Sequence, residues 1–261
     1  MKKFSKKDIN FLKNLSKDAG KIITGFHKEK EVYTKNDSSP VTNADIMANK
    51  FIVDGLSNNF PNISVISEEQ KPILKSENNF FLVDPLDGTK EFISGSDEFT
   101  VNIAYIENGD PILGFIYIPL RSEIYWTDGL ESFFEKQEKM KIKTDNYENE
   151  INLELSKSHL DENTKSFIEK IKAKNINYSG SSIKLCNLAK GTSNLYPRLS
   201  KTMEWDIAAG HAILKNAGGD VFEINGKPVR YNKHKYTNNP FIAFGGKKLP
   251  KEVLKTLKII L

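Results

Sequence analysis

The sequence of 261 residues has a single cysteine, Cys186, so no disulfide can form within the chain. Structural disulfides are typical of secreted proteins, and their exclusion favours a reducing compartment. The lysines near the N-terminus are not followed by the apolar segment that a signal peptide needs. The longest apolar stretch, PILGFIYIPL, is far shorter than the ~20 residues with which a helix crosses a bilayer. The sequence therefore predicts a soluble cytoplasmic protein.

Charge of one sign is not in large excess either, because 38 Lys and Arg stand against 34 Asp and Glu, for a net charge of +4. Basic and aromatic residues do not alternate along one face, and no nucleic-acid-binding module is recognisable. The small excess indicates a solvated lysine-rich surface, which would favour an anionic small-molecule substrate over a nucleic acid. Internal repeats and low-complexity tracts are also lacking, and 38% hydrophobic residues are typical of an ordinary globular protein.

The first half of the chain is predicted to contain two helices followed by a sheet. Apolar residues recur at three-to-four spacing over residues 5–26, and a second helix is predicted over about residues 42–56. The Asn-Gly-Asp triplet at residues 108–110 predicts a hairpin turn, because Asn and Gly accept positive φ angles. A largely antiparallel sheet is expected from apolar segments at residues 63–67, 80–84, 99–107, 111–119 and 123–127.

The second half alternates strand-like and helical segments, which predicts an α/β arrangement. Residues 135–150 are polar, which is typical either of a boundary between two structural units or of a surface hairpin. On the first interpretation, residues 1–150 form an α+β half and residues 151–261 form an α/β half. The elements predicted for the α/β half include a strand at residues 151–156 and helices near residues 161–173, from about residue 182, and at residues 206–217.

The stretch FFLVDPLDGTKEFIS places Asp84 and Asp87 at the end of an apolar strand. Asp-Pro and Asp-Gly pairs are typical of turns, because Asp side chains accept hydrogen bonds from nearby backbone N–H groups. The alternative is a metal site, in which the two carboxylates and the carbonyl of Leu86 supply the oxygen ligands that Mg²⁺ prefers. In that case the backbone N–H groups of Gly88 and Thr89, where the chain turns towards a helix, would bind a phosphate.

Other acidic residues lie at the ends of predicted elements, where a metal site would need them. Glu68 follows the strand ISVIS, together with Glu69, and is either a metal ligand or a solvated loop residue. Asp206 begins a predicted helix, either as a ligand or as an ordinary N-cap. Asp45 stands three residues after Thr42, a spacing typical of a capping box, which favours a structural role. None of these signals decides between the alternatives alone.

Several longer motifs occur together and in a fixed order. FLVDPLDGTKEF and WDIAAGHAILKNAGG, with SEE upstream, resemble the signatures of the inositol monophosphatase superfamily, and the resemblance covers nearly the whole chain. Within the superfamily, the chain is most similar to bacterial 3′(2′),5′-bisphosphate nucleotidases of the CysQ type. The segment QKPILKSENN, after SEE, matches no motif of the family. The motifs that indicate the CysQ-type nucleotidases within the superfamily are SPVTNAD, GTKEF, EFTVNIAYIENGDPILGFIY, SKSH, SGSSIK and LYPR.

The resemblance implies a layered αβαβα sandwich, in which an α+β half is followed by an α/β half and the active site lies between them. It also implies a metal-dependent enzyme that binds two or three Mg²⁺ ions and is inhibited by Li⁺. The metal ligands that it implies are Glu68, Asp84, the carbonyl of Leu86, Asp87 and Asp206.

The same resemblance assigns roles in catalysis and substrate binding. Asp45 would pair with Thr89 to orient or deprotonate the attacking water, and Thr89 with Gly88 would hold the scissile phosphate. His159, Ser181, Lys184 and Arg198 match positions that contact the nucleotide in related enzymes. The full set of implied substrate contacts is Glu68, Leu86, Asp87, Gly88, Thr89, His159, Ser181, Lys184, Arg198 and Asp206.

The implied reaction is removal of the 3′-phosphate of adenosine 3′,5′-bisphosphate, a by-product of sulfur assimilation, to give AMP and phosphate. An inositol-1-monophosphatase or a sugar-bisphosphate phosphatase on the same scaffold is the closest alternative, and a non-catalytic nucleotide-binding module is a remote one. GTKEF, SGSSIK and LYPR favour the nucleotide substrate. The lysine-rich ends leave open a peripheral location on the cytoplasmic face of the inner membrane.

Overall fold

The computed structural model describes residues 4–35, 38–75, 78–144, 150–158 and 160–246, together with residues 249, 253, 255 and 256. None of the helices in these residues is long and apolar enough to cross a membrane. The α-helices are Lys6–Gly25 (α1), Asn43–Asn59 (α2), Thr89–Ser94 (α3), Glu162–Lys170 (α4), Ile183–Lys190 (α5) and Glu204–Asn216 (α6). The strands are Val32–Thr34 (β1), Pro40–Thr42 (β2), Ser64–Ser67 (β3), Asn79–Asp87 (β4), Thr100–Glu107 (β5), Asp110–Ile118 (β6), Glu123–Thr127 (β7), Ser132–Glu135 (β8), Lys139–Ile142 (β9), Ile151–Ser156 (β10), Ala173–Ser179 (β11), Leu195–Arg198 (β12), Thr202–Met203 (β13), Asp220–Glu223 (β14), Thr237–Asn238 (β15) and Phe241–Phe244 (β16).

Two sheets organise the molecule. The larger has seven strands in the order β3-β4-β5-β6-β7-β8-β9, and only its β3–β4 pair is parallel. The smaller has five strands in the order β11-β10-β12-β16-β14, with β10 parallel to both of its neighbours. The first sheet therefore has the largely antiparallel arrangement expected from the sequence.

Successive residues of β4 show how the first sheet is covered on both faces. Phe81 and Val83 point into a core formed with α1 and α2, whereas Phe80 and Leu82 point into a second core formed with α5 and α6. This alternation follows from the two-residue period of a strand. Because both faces are buried, the segment FFLV is apolar throughout.

The second core is shared by the two sheets, because α5 and α6 lie between them. It includes apolar residues of α6, such as Ile213, together with Ile116 of the first sheet and Phe241 of the second. On the far face of the second sheet, Leu155 packs with Phe167 of α4 in a third core. The layers therefore follow the order helix, sheet, helix, sheet, helix, and the predicted αβαβα sandwich is confirmed.

Some predicted boundaries differ from the structure. The polar segment that begins at residue 135 is a surface hairpin up to Ile142, formed by β8 and β9, while residues 145–149 lie outside the described residues. The predicted helix near 161–173 ends at Lys170, because β11 begins at Ala173. The division of the chain into two halves near residue 150 stays a prediction, although each sheet draws its strands from one side of that position.

The position of α6 depends on a close approach to β6. A Cβ atom added to Gly114 would lie 2.1 Å from the carbonyl oxygen of Ala209, so only glycine permits this contact. The contact holds α6 against the first sheet, next to the strands that carry the acidic motif.

We expect Gly114→Ala to lower the free energy of unfolding by roughly 1–3 kcal/mol, the usual cost of overpacking a core. Urea unfolding followed by circular dichroism measures this change. Gly25→Ala is the matched control, because an added Cβ there meets no atom within 4 Å. The control should be neutral or slightly stabilising. Equal stabilities for the two variants would contradict this account of how α6 is held.

Candidate active site

The acidic residues meet where β3 and β4 end. These strands are parallel, with Ser67 opposite Val83, so Glu68 follows β3 next to Asp84 on β4. Asp206 reaches the same place from the first turn of α6. Glu68, Asp84 and Asp206 each offer a carboxylate oxygen, and these oxygens all lie within 4.8 Å of one another.

A bulge in β4 places two of the acidic side chains on one face of the sheet. In a regular strand, Asp84 and Asp87 would face opposite sides, because they are three residues apart. Here they pair with Asn102 and Thr100, which are only two residues apart, so β4 contains one extra residue between them. Pro85 is tolerated at this position, since a bulge needs no regular ladder hydrogen bond there. The predicted turn is therefore a bulge within a strand that continues to Asp87.

The carboxylates strongly perturb one another. Asp84 is 2% exposed, and burial together with the charges of Glu68 and Asp87 raises its pKa well above the ordinary value. Burial and the charges of Asp87 and Glu68 raise the pKa of Asp206 in the same way. Placing like charges together in a poorly solvated site is unfavourable unless a cation neutralises them. This set of hard oxygen donors fits Mg²⁺.

Asp45 is both a helix cap and a residue of the site. Its Oδ2 accepts hydrogen bonds from the backbone N and the Oγ1 of Thr42, at 2.7 and 2.5 Å, which forms the capping box of α2. Its Oδ1 accepts a hydrogen bond from Oγ1 of Thr89 at 3.1 Å. Burial raises the pKa of Asp45. The two interpretations left open by the sequence are thus compatible, because each uses a different oxygen.

Asp206 and Asp84 likewise use one carboxylate oxygen for a structural hydrogen bond and leave the other for the site. Oδ2 of Asp206 accepts a hydrogen bond from the backbone N of Met203 at 2.8 Å, which caps α6. Oδ1 of Asp84 accepts one from the backbone N of Leu86 at 3.1 Å. Each of these carboxylates is held by one oxygen, and its second oxygen can bind a cation.

The segment after Asp87 turns sharply into α3. Gly88 has a φ of 91°, in the left-handed region, and an added Cβ would lie 3.1 Å from the carbonyl oxygen of Glu98. Glycine is therefore required at this position. Because α3 begins at Thr89, its first N–H groups have no partner within the helix and can bind an anion.

Both halves of the chain contribute to one cavity of about 600 Å³ above these residues. Ser181, Lys184 and Arg198 line it, as the sequence predicts for substrate contacts, together with Gly88. Burial lowers the pKa of Lys184 to about 8. His159, the remaining predicted contact, lies outside the described residues.

The structure brings the predicted metal ligands together in two groups. Glu68, Asp84 and Asp206 form the cluster described above. Leu86 and Asp87 line the same cavity, but Oδ2 of Asp87 accepts a hydrogen bond from Ser181 at 2.7 Å, and the carbonyl oxygen of Leu86 lies 3.3 Å from Oγ1 of Thr89. The two residues thus contact side chains of the predicted substrate site.

Some residues of the site were missed from the sequence. Lys35, beside β1, donates hydrogen bonds to Glu68 and Glu69 at 2.7 and 2.5 Å. Burial alone would lower the pKa of Lys35, but the two carboxylates outweigh it and raise that pKa. Burial raises the pKa of Glu69 to about 7. Thr100 and Asn102 of β5 were also missed, although polar residues at alternate positions of an apolar strand are a usable signal.

A layered αβαβα sandwich with a carboxylate cluster between its two sheets defines a protein of the sugar-phosphatase fold class. The chain belongs to the inositol monophosphatase family, whose model matches residues 6–259. The 3′(2′),5′-bisphosphate nucleotidase CysQ of Shigella flexneri is 39% identical over 232 residues, which cover 87% of this chain and 94% of the relative. The CysQ nucleotidase of Escherichia coli K12 is 39% identical over 235 residues, with the same two coverages.

Solved structures agree with this family. The crystal structure of CysQ from Bacteroides thetaiotaomicron is similar with a TM-score of 0.79 and 34% identity, over 92% of this chain and 98% of that one. An inositol monophosphatase from Thermotoga maritima is similar with a TM-score of 0.82 and 27% identity, over 97% and 98% of the two chains. The similarity therefore includes both halves of the sandwich.

We expect Asp84→Asn to raise the melting temperature in EDTA, because it removes one of several mutually repelling carboxylates and keeps an oxygen acceptor for Leu86. A gain of 1 kcal/mol would raise it by about 2–4 °C in a protein of this size. The stabilisation that Mg²⁺ gives the wild type should be largely lost. Thermal melts with EDTA and with Mg²⁺ measure both effects.

Asp54→Asn is the control for that measurement, since Asp54 is an exposed residue of α2 away from the cavity. It should leave both melting temperatures within about 1 °C of the wild type, as is usual for surface changes. If Asp84→Asn kept the full Mg²⁺-dependent shift, the carboxylate of Asp84 would not be a metal ligand.

Proposed function

We propose that the chain is a Mg²⁺-dependent phosphomonoesterase that removes the 3′-phosphate of adenosine 3′,5′-bisphosphate to give AMP and phosphate. The observation that carries this proposal is the arrangement of charge in one cavity. A carboxylate cluster suited to metal ions shares that cavity with Lys184 and Arg198. A bisphosphate presents one anionic group to each region. The relatives named bisphosphate nucleotidases support the same substrate.

The metal ligands proposed are Glu68, Asp84, the carbonyl of Leu86, Asp87 and Asp206. Mg²⁺, when bound, would lower the pKa of the attacking water and neutralise negative charge on the phosphoryl oxygens. The protein's contribution is to hold these oxygens in place before the substrate arrives. The capping bond from Met203 to Asp206 and the bulge in β4 provide that rigidity.

Thr89 and Asp45 are proposed to move the proton of the attacking water. The hydroxyl hydrogen of Thr89 is donated to Oδ1 of Asp45, so the lone pairs of Thr89 can accept a hydrogen from water. Because Thr42 holds the other oxygen of Asp45, the direction of this chain is fixed. A proton lost by the water can therefore pass to Thr89 while the hydrogen of Thr89 passes to Asp45.

The rest of the substrate is proposed to bind residues of the second half. Lys184 and Arg198 would contact the phosphate that is not cleaved, and Ser181 would contact the nucleotide. Gly88 and Thr89 would bind the scissile phosphate through their backbone N–H groups. His159 completes the proposed set from the sequence resemblance.

Activity against a panel of phosphate esters tests the substrate assignment. We expect adenosine 3′,5′-bisphosphate to have a kcat/KM at least about tenfold above that of inositol 1-phosphate, since its second phosphate can bind Lys184 and Arg198 and a hydrogen bond to a charged group contributes about 1.5–3 kcal/mol. A sugar bisphosphate also has two phosphates, so its lower activity would show that the nucleoside itself is recognised. Activity should require Mg²⁺ and decrease on addition of Li⁺. Preference for inositol 1-phosphate would instead support the inositol monophosphatase alternative, which the similarity to the Thermotoga maritima protein also allows.

Asp45→Asn tests the proton-transfer role. The variant keeps the shape of the side chain, but its single amide oxygen can accept either the capping hydrogen bonds of Thr42 or the one from Thr89, and it is a far weaker base. We expect kcat to decrease by about 10²–10⁴-fold, the usual contribution of general base catalysis, with Mg²⁺ binding within about twofold of the wild type. Steady-state kinetics and calorimetric Mg²⁺ titration measure the two quantities. A kcat near the wild-type value would exclude Asp45 as the base.

A further inference from the structure

The bulged pairing of β4 with β5 places two buried polar side chains beside the acidic motif. Thr100 is paired with Asp87, and Asn102 is paired with Asp84, in antiparallel register. Paired residues of antiparallel strands lie on the same face. Thr100 is 0% exposed and Asn102 is 1% exposed, so both must find hydrogen-bond partners within the protein.

Besides each other and Asp87, the partners of Thr100 and Asn102 come from the other half of the chain. Oγ1 of Thr100 lies 2.6 Å from Oγ of Ser181 and 2.9 Å from Oγ of Ser182, just before α5. Oγ of Ser182 donates a hydrogen bond to Oδ1 of Asn102 at 2.8 Å. The four side chains thus form one network between the two halves.

The directions of the hydrogen bonds follow from the carboxylate of Asp87, which can only accept. Ser181 donates its single hydrogen to Oδ2 of Asp87, at 2.7 Å, so the hydrogen in its contact with Thr100 comes from Thr100. Oδ1 of Asn102, at 3.0 Å from Oγ1 of Thr100, is a second and more distant acceptor for that hydrogen. Nδ2 of Asn102 also points to Oδ2 of Asp87, at a longer distance of 3.4 Å. Two chains of donors therefore end on the same oxygen of Asp87. Its Oδ1 receives no donor from these side chains.

The backbone at Ser181 supports a functional reading of this network. Ser181 has a φ of 49°, in the left-handed region that residues other than glycine rarely adopt. Such a conformation persists only where the surroundings impose it, and it is concentrated at functional sites. Here the strained backbone directs the Ser181 hydroxyl towards both Thr100 and Asp87.

We propose that Thr100, Asn102 and Ser182 are positioning residues. Together they hold the carboxylate of Asp87 where it can bind the metal and the hydroxyl of Ser181 where it can contact the substrate. They hold Oδ2 of Asp87, so that Oδ1 is the oxygen left for Mg²⁺. They also hold the Ser181 hydroxyl at the cavity wall. The proposal rests on the proposed function for the roles of Asp87 and Ser181.

Thr100→Val tests the proposal, because it keeps the shape of the side chain and removes the hydroxyl. We expect Mg²⁺ affinity, measured by calorimetry without substrate, to decrease by about 10-fold, as is typical when a partner of a metal ligand is lost. The KM for adenosine 3′,5′-bisphosphate should increase by a similar factor. Thr100→Ser keeps the hydroxyl and should restore both quantities to within about twofold of the wild type.

Thr127→Val is the matched control. Thr127 is also fully buried in the same sheet, and its Oγ1 makes two hydrogen bonds, to the carbonyl of Glu131 and from the backbone N of Gly129. Unlike Ser181 and Ser182, the partners of Thr100, these partners of Thr127 are not among the residues that line the cavity. This variant should therefore lose stability like Thr100→Val in thermal melts but keep its Mg²⁺ affinity. If Thr100→Val does not fold, Ser182→Ala, which removes the donor to Asn102, provides the same test.

A double-mutant cycle separates positioning from general destabilisation. In a Ser181→Ala background, the connection from Thr100 to Asp87 through Ser181 is already broken and only the longer contact through Asn102 is left, so Thr100→Val should change Mg²⁺ affinity by less than about twofold. An equal loss in both backgrounds, or a Thr100→Val affinity equal to that of the wild type, would overturn the proposal. The titration needs no turnover. If the wild type bound Mg²⁺ but left the bisphosphate intact, the proposed function would fail and the network would still be tested.

Discussion

The site depends on keeping several like-charged carboxylates together in a poorly solvated place. Asp84, Asp87 and Asp206 each have one oxygen held by a nearby hydrogen-bond donor, and Asp45 has both oxygens held, so their positions do not depend on a bound cation. This arrangement is unfavourable when the groups are charged, because burial raises the pKa values of all four. Repulsion from neighbouring carboxylates raises those of Asp84, Asp87 and Asp206 further. The same repulsion would favour the binding of a divalent cation in the cavity, because a cation relieves it.

The layered fold supplies the rigidity that this arrangement requires. Both faces of β4 are packed, one against α1 and α2 and the other against α5 and α6, so the bulge that aligns Asp84 and Asp87 lies between two cores. The capping boxes of α2 and α6 place Asp45 and Asp206 where helix ends meet the edge of the sheet. The same hydrogen bonds therefore fix both the N-termini of these helices and the positions of the two carboxylates.

The sequence was sufficient for much of this picture, since motif spacing and strand patterns are local. The hairpin at Asn108 and Gly109, with φ angles of 53° and 78°, is confirmed, as are the αβαβα layers. The bulge in β4 could not be predicted, because it depends on the register with β5. Lys35 was missed for the same reason, since a hairpin remote in sequence brings it to Glu68. Local patterns also could not show that one carboxylate can serve as both cap and ligand.

The position of α6 between the sheets has a consequence for how the protein matures during synthesis. Asp206 joins Glu68 and Asp84 only after more than a hundred intervening residues have been made and α6 has packed against β6. Contacts so distant in sequence form late, since the entropy of closing the loop must first be overcome. The carboxylate cluster therefore cannot be complete in a nascent chain that lacks α6. A cation that binds only the complete cluster would accordingly stabilise the folded chain over the nascent one, by mass action.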